Sequence, residues 1–172
     1  MTAYQLTRSG VAASAQPVTR ESDGAFIPND ARNADYQQYL AWLNAGSTPD
    51  AAPAPSAAEA AQATYTAAIA AGLTLTWSIS TTLNGTYALD QTTQFNMTAE
   101  TVSILTNGTF TNGQPMRNWP NAAGAFQSFT LAQFKALASA IALYLDGLAS
   151  ALAAASAGGA ASWPSVTVTV NA

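Results

Sequence analysis

The chain has no cysteine and no histidine. These two absences together exclude disulfides, thiol nucleophiles, Ser-His-Asp and Cys-His constellations and most transition-metal sites. Charge is scarce too. Only 8% of residues are charged, and nine carboxylates face five cations, Arg8, Arg20, Arg32, Arg117 and Lys135, which never cluster. With a formal net charge of −4 and no basic patch, nothing is placed to neutralise phosphates, and nucleic acid is excluded as a partner. Large apolar side chains are sparse as well: 49% of the chain is hydrophobic, but 40 of its 172 residues are alanine, which buries little area. One core with an appended segment is the expectation for this length. No stretch is read as a signal peptide or a membrane span. The longest apolar stretch, Leu131 to Ala157, is interrupted by Gln133, Lys135 and Asp146, so a soluble amphipathic helix without membrane insertion is expected.

What is present is mostly architecture. Thr2 to Arg8 and Ala15 to Glu21 read as short strands, followed by the turn Ser22-Asp23-Gly24. Asn33 to Asn44 carries Tyr36, Tyr39, Leu40 and Leu43 at helical spacing, with Asn33 placed to cap the first turn and Gly46 past the end. Trp42 falls off that stripe, which makes it a candidate anchor on a partner protein. Ser47 to Pro55 holds three prolines and reads as a semi-rigid spacer. The expected organisation is an N-terminal docking segment over 1–46, a linker over 47–55 and a small α/β domain over 56–172.

In that domain Ser56 and Glu59 form a capping box that opens an alanine-rich helix ending at Gly72. Leu73, Leu75, Trp77 and Ile79 alternate with polar residues as in a strand with one buried face, and Asn84-Gly85 signals a tight hairpin to Thr86–Leu89. Asp90 can cap a helix over Gln91 to Leu105, with Phe95, Val102 and Leu105 expected inward and Asn107-Gly108 closing it. A second hairpin is expected from Met116–Trp119 and Ala125–Phe129. Thr130 and Gln133 make another capping box at the start of the longest helix, and Val166, Val168 and Val170 suit a closing strand. The fold class is therefore α+β: short N-terminal strands and a helix, a Pro/Ala linker, then a small antiparallel sheet of hairpins packed with two or three helices.

Along the longest helix Leu131, Phe134, Ala138, Ile141, Leu145, Leu148 and Leu152 are spaced 3, 4, 3, 4, 3, 4. Such a heptad stripe wants a partner. Packing on the sheet of its own domain is the favoured reading, and an oligomer seam through Leu131, Phe134, Ile141, Leu145, Leu148 and Leu152 is the alternative.

Two stretches carry a resemblance. Asp23-Gly-Ala-Phe-Ile-Pro-Asn-Asp30, Asp35-Tyr36, Tyr39-Leu-Ala-Trp-Leu43 and Gly46-Ser-Thr-Pro49 resemble a segment recurring in tailed-bacteriophage and prophage tail proteins, including tail-fibre proteins and small tail-assembly chaperones. Leu83-Asn-Gly-Thr-Tyr-Ala-Leu-Asp-Gln-Thr-Thr-Gln94, Phe129-Thr-Leu-Ala-Gln-Phe134 and Trp163-Pro164 are similar to a small α/β domain of unassigned function found in phage tail genes. The resemblance implies a structural protein of the virion tail, at the baseplate, tip or fibre attachment. Its partners would be other tail proteins and a host surface glycan or protein, and its state a homotrimer. A tail-fibre assembly chaperone is the second reading.

No residue set points to catalysis, a cofactor or a metal. Asp90 and Glu100 stand about 15 Å apart along a helix axis, at about 1.5 Å per residue, beyond the roughly 5–9.5 Å of glycosidase carboxylate pairs. Asp90 reads as a cap, and Asp23 and Asp30 as turn residues. Of the aromatics, Tyr36, Tyr39 and Trp42, with Leu43, are the candidate partner interface.

Overall fold

The computed structural model describes residues 3–171 and divides into two units, 1–55 and 56–172. Thr2, which opened the first expected strand, lies outside the described residues. The fold class is α+β.

Unit 1 is a three-stranded antiparallel sheet in the order β1 (Tyr4–Leu6), β2 (Val18–Arg20), β3 (Ala25–Ile27), with helix α1 (Ala34–Asn44). The Asp23-Gly24 turn leads into β3, a strand that alternation alone does not signal. Arg20 grips the Asp23 carboxylate there, and this holds Asp23 below the usual carboxylate range. Ala15 belongs to a short 3₁₀ turn, Ala13–Ala15, so the second strand starts only at Val18. Asn33 caps α1 by accepting the amides of Asp35 and Tyr36. The segment read as a free spacer is partly tied down. The Asp50 amide donates to the Tyr4 carbonyl at 2.8 Å, and the Leu6 amide donates to the Asp50 carbonyl at 2.9 Å. An edge strand leaves backbone groups unpaired, and Asp50 is a non-proline residue of the segment able to supply both a donor and an acceptor.

Unit 2 opens with α2 (Ala57–Ala71), whose capping box pairs Ser56 and Glu59 reciprocally. Gly72 turns the chain into β4 (Leu73–Trp77) at φ +77°, and a Cβ placed there would lie 2.6 Å from the Tyr87 carbonyl oxygen. The alternation of β4 buries Leu73, Leu75 and Trp77, but the strand stops short of Ile79, which is 76% exposed. Asn84-Gly85 is not a two-residue hairpin turn. A 3₁₀ turn over Thr81–Leu83 makes the connection, the Asn84 side chain accepts the Trp77 amide, and Gly85 begins β5 (Gly85–Tyr87) opposite Leu75. Asparagine's side-chain oxygen here stands in for a backbone partner and lengthens the loop.

Helix α3 (Gln91–Asn107) starts at Asp90, whose carboxylate accepts the Thr93 amide and hydroxyl. The expected inward face is wrong. Phe95 and Leu105 are about 70% exposed and Val102 is exposed, while Met97, Glu100 and Ile104 are buried. The helix carries two apolar stripes of equal period, and the one holding Met97 and Ile104 faces the core. A ribbon follows, β6 (Met116–Pro120) antiparallel to β7 (Phe126–Thr130), each strand one residue later than expected at its turn end. Helix α4 (Leu131–Ser156) is capped by Thr130 and Gln133. Strand β8 (Thr167–Val170) closes the main sheet in the order β5-β4-β8, pairing parallel to β4.

The core of unit 2 gathers Leu73, Leu75, Trp77, Tyr87, Phe129, Phe134, Leu137, Ile141, Tyr144 and Leu148. Phe134 is its aromatic hub, in edge contact with Phe110, Trp119 and Phe129. By length and composition alone α4, with a mean hydropathy of 1.6, matches a membrane-crossing helix, a match that a core helix also makes, and Phe134, Leu137, Ile141, Tyr144 and Leu148 are buried in the core of unit 2. The alanine content of α4 is what the interrupting Gln133, Lys135 and Asp146 fail to offset.

Candidate functional site

The aromatic stripe of α1 is spent inside unit 1. Tyr36 and Tyr39 are buried, and their hydroxyls donate to the Ser14 and Ala13 carbonyls at 2.9 and 3.0 Å. They pin the 3₁₀ turn, and burial pushes both phenols above their ordinary pKa. Trp42 is half-buried, edge-on to Tyr4 at 5.1 Å and stacked near Tyr39 at 6.1 Å between ring centroids. Trp42 and Leu43 both pack on that core. The helix stripe and the residue beside it thus face one cluster, because β1 adds Tyr4 to the surface that α1 covers.

The heptad stripe of α4 is likewise an internal surface along most of its length. Phe134, Ile141 and Leu148 are buried, and Leu131, Leu145 and Leu152 are half-buried. The buried set continues through Leu137, Tyr144 and Ala151, so the core-facing line is rotated toward those residues and away from Ala138, Leu145 and Leu152. Phe134, Ile141 and Leu148 therefore cannot form a seam between folded copies.

That rotation leaves an opening. Between α3 and α4 lies an apolar groove of about 460 Å³, with Met97, Val102 and Leu105 on one wall and Ala138, Ile141 and Leu145 on the other. Among the described residues Lys135 is the one charged residue along it. Phe95 on α3 and Leu143 on α4 are exposed as well. Val102 and Leu105, exposed beside the apolar groove wall of α4, give this side of unit 2 the character of a contact surface. Val102 and Leu105 were visible in the sequence as apolar, but their side of the helix was not.

A second recess, of about 440 Å³, lies between α3 and β6. Its floor is an ion pair: Glu100, 3% exposed, meets the Arg117 Nε at 3.0 Å. Glu100 also accepts the Thr111 amide at 2.9 Å and the Thr111 hydroxyl at 2.7 Å. A buried carboxylate requires such satisfaction. Sequence reasoning weighed Glu100 against Asp90 only as a catalytic pair. The signal for its true partner was a lone acid within the Met97–Ile104 stripe.

Of the other carboxylates, Asp90 is held below its ordinary pKa by the Thr93 amide and hydroxyl, and Glu59 by Ser56. No group of three metal-ligating side chains occurs among the described residues. Comparison with protein-family models, with curated proteins and with solved structures returns no match.

Proposed function

We propose that the chain is a structural component of a bacteriophage tail, at the baseplate, tip or fibre attachment. In this reading unit 1 docks on the particle and unit 2 is displayed, with a role in host recognition. The observation that carries it beyond the sequence resemblance is the exposed apolar surface of α3 and α4, of a kind that parts of large assemblies keep for their neighbours. The reading is non-enzymatic. There is no histidine or cysteine, Asp90 and Glu59 serve as caps, and Glu100 is consumed by Arg117 and Thr111. Its other elements are other tail proteins as partners, a host glycan or protein as target, and the virion as location.

Quantitative mass spectrometry of purified virions tests it: stoichiometric amounts support the structural role, and absence from mature particles overturns it. The same groove also suits the second reading, a tail-fibre assembly chaperone, because an open apolar channel can hold an unfolded segment. That reading expects the protein in infected cells bound to a fibre polypeptide and missing from the particle. The homotrimer proposed with the structural role does not draw on the buried line of α4. Sedimentation that finds only monomer at every concentration rejects it.

A further inference from the structure

The recess between α3 and β6 combines features that the tail reading does not use. Its charges cancel: Arg117 is paired with Glu100, and among the described residues no other charged side chain lines it. An ionic ligand therefore finds no net attraction there. Two amides on its walls, Asn96 from α3 and Asn118 from β6, make no side-chain hydrogen bond among the described residues. Each offers two donors and an acceptor. Beside them Phe126 is 71% exposed, paired across the ribbon with Pro120, which gives a flat apolar patch next to the amides. Its volume falls within the roughly 300–1,000 Å³ of small-ligand sites.

We propose that this recess binds a neutral saccharide. Such a ring presents hydroxyls at its rim, which amides can both donate to and accept from, and an apolar C–H face that stacks on an aromatic surface. The Glu100–Arg117 pair ties β6 to α3 across the recess. An extended peptide adding to the open edge of β6 is the competing occupant. Pro120 disfavours it, since a proline in the strand removes a ladder donor. This inference deepens the display role proposed above, and it is measured on the isolated protein. Its failure leaves the virion result standing, and the virion result leaves it untouched.

The experiment titrates the isotope-labelled full chain with chitohexaose, maltohexaose and mannohexaose. An oligogalacturonate and a neutral threonine hexapeptide serve as controls, and the side-chain amide resonances of Asn96 and Asn118 are followed. At least one neutral oligosaccharide is expected to shift those resonances saturably. Asn118→Ala and Phe126→Ala should each weaken its binding by about tenfold, the loss of one good hydrogen bond or stacking contact. Both positions are exposed, so melting followed by circular dichroism should be unchanged. If one variant loses its fold, Asn96→Ala replaces it. The proposal is overturned if no neutral oligosaccharide shifts those amides, if only the charged sugar or the peptide does, or if the folded variants bind as well as the parent.

Discussion

Leu148 gives the sharpest test of where the apolar face of α4 is used. It is 1% exposed and belongs to the core of unit 2, whereas Leu143, on the same helix, is 72% exposed. Truncating a buried leucine to alanine costs about 2–5 kcal/mol, from lost transfer energy and the cavity left behind. Unit 2 has about 120 residues, which implies an unfolding entropy near 0.25 kcal/mol/K, so each kcal/mol lowers the melting temperature by about 4 °C. Leu148→Ala should therefore melt about 8–20 °C lower, and Leu143→Ala within about 2 °C of the parent. Half-buried Leu145, on the groove wall, should fall between them. Helical circular dichroism gives the melting curve, and sedimentation run alongside gives the mass. Equal melting of Leu148→Ala and Leu143→Ala, or a Leu148→Ala protein that stays as stable but dissociates from an oligomer, would refute the assignment of this face to the unit's own core.

Other perturbations reach other parts of the fold. Gly72→Ala should destabilise unit 2 by more than about 2 kcal/mol in urea titration. The substitution combines a backbone conformation nearly exclusive to glycine with a Cβ 2.6 Å from the Tyr87 carbonyl oxygen. Arg117→Ala leaves Glu100 buried without its cation. Since Arg117 is about one-third exposed, the cost should sit near or below the low end of the buried-pair range, about 2–3 kcal/mol, and Glu100→Gln should recover part of it. Asp90→Ala should cost about 1 kcal/mol at neutral pH. Because the folded-state pKa of Asp90 is depressed from 3.8, its contribution is present above that value and lost as the pH falls through and below it. The gap between parent and variant should therefore narrow in acid unfolding curves. A chain starting at Ser56, where the two units divide, should retain a cooperative melt.

What could be read from the sequence was chiefly what is decided within one turn of chain. Asn33, Ser56 with Glu59, Asp90, and Thr130 with Gln133 all cap as their spacing implies, since a cap needs only its own next three residues. Choices between equivalent faces could not be read. On α3 the Phe95–Val102 and Met97–Ile104 stripes have the same period, and only the arrival of α4 and the ribbon selects the second. The Asn84-Gly85 signal failed because the Asn84 side chain found the Trp77 amide seven residues back, a contact that the dipeptide does not encode. The pairing of Glu100 with Arg117 spans a loop and two elements, so neither of the candidate surfaces on unit 2 was recoverable from local pattern.

The parallel pairing of β8 with β4 also has a consequence for how the protein is made. The Ser78 amide and hydroxyl, just past the end of β4, both donate to the Val170 carbonyl across 92 positions of chain. Until that late segment leaves the ribosome, β4 has only β5 beside it in the sheet, and α4 precedes β8 out of the tunnel. Long-range pairings of this kind are slow and leave apolar surface open meanwhile. The face of α4 that carries Phe134, Leu137, Ile141, Tyr144 and Leu148 is thus open first, and β8, which completes the sheet of its core, arrives last.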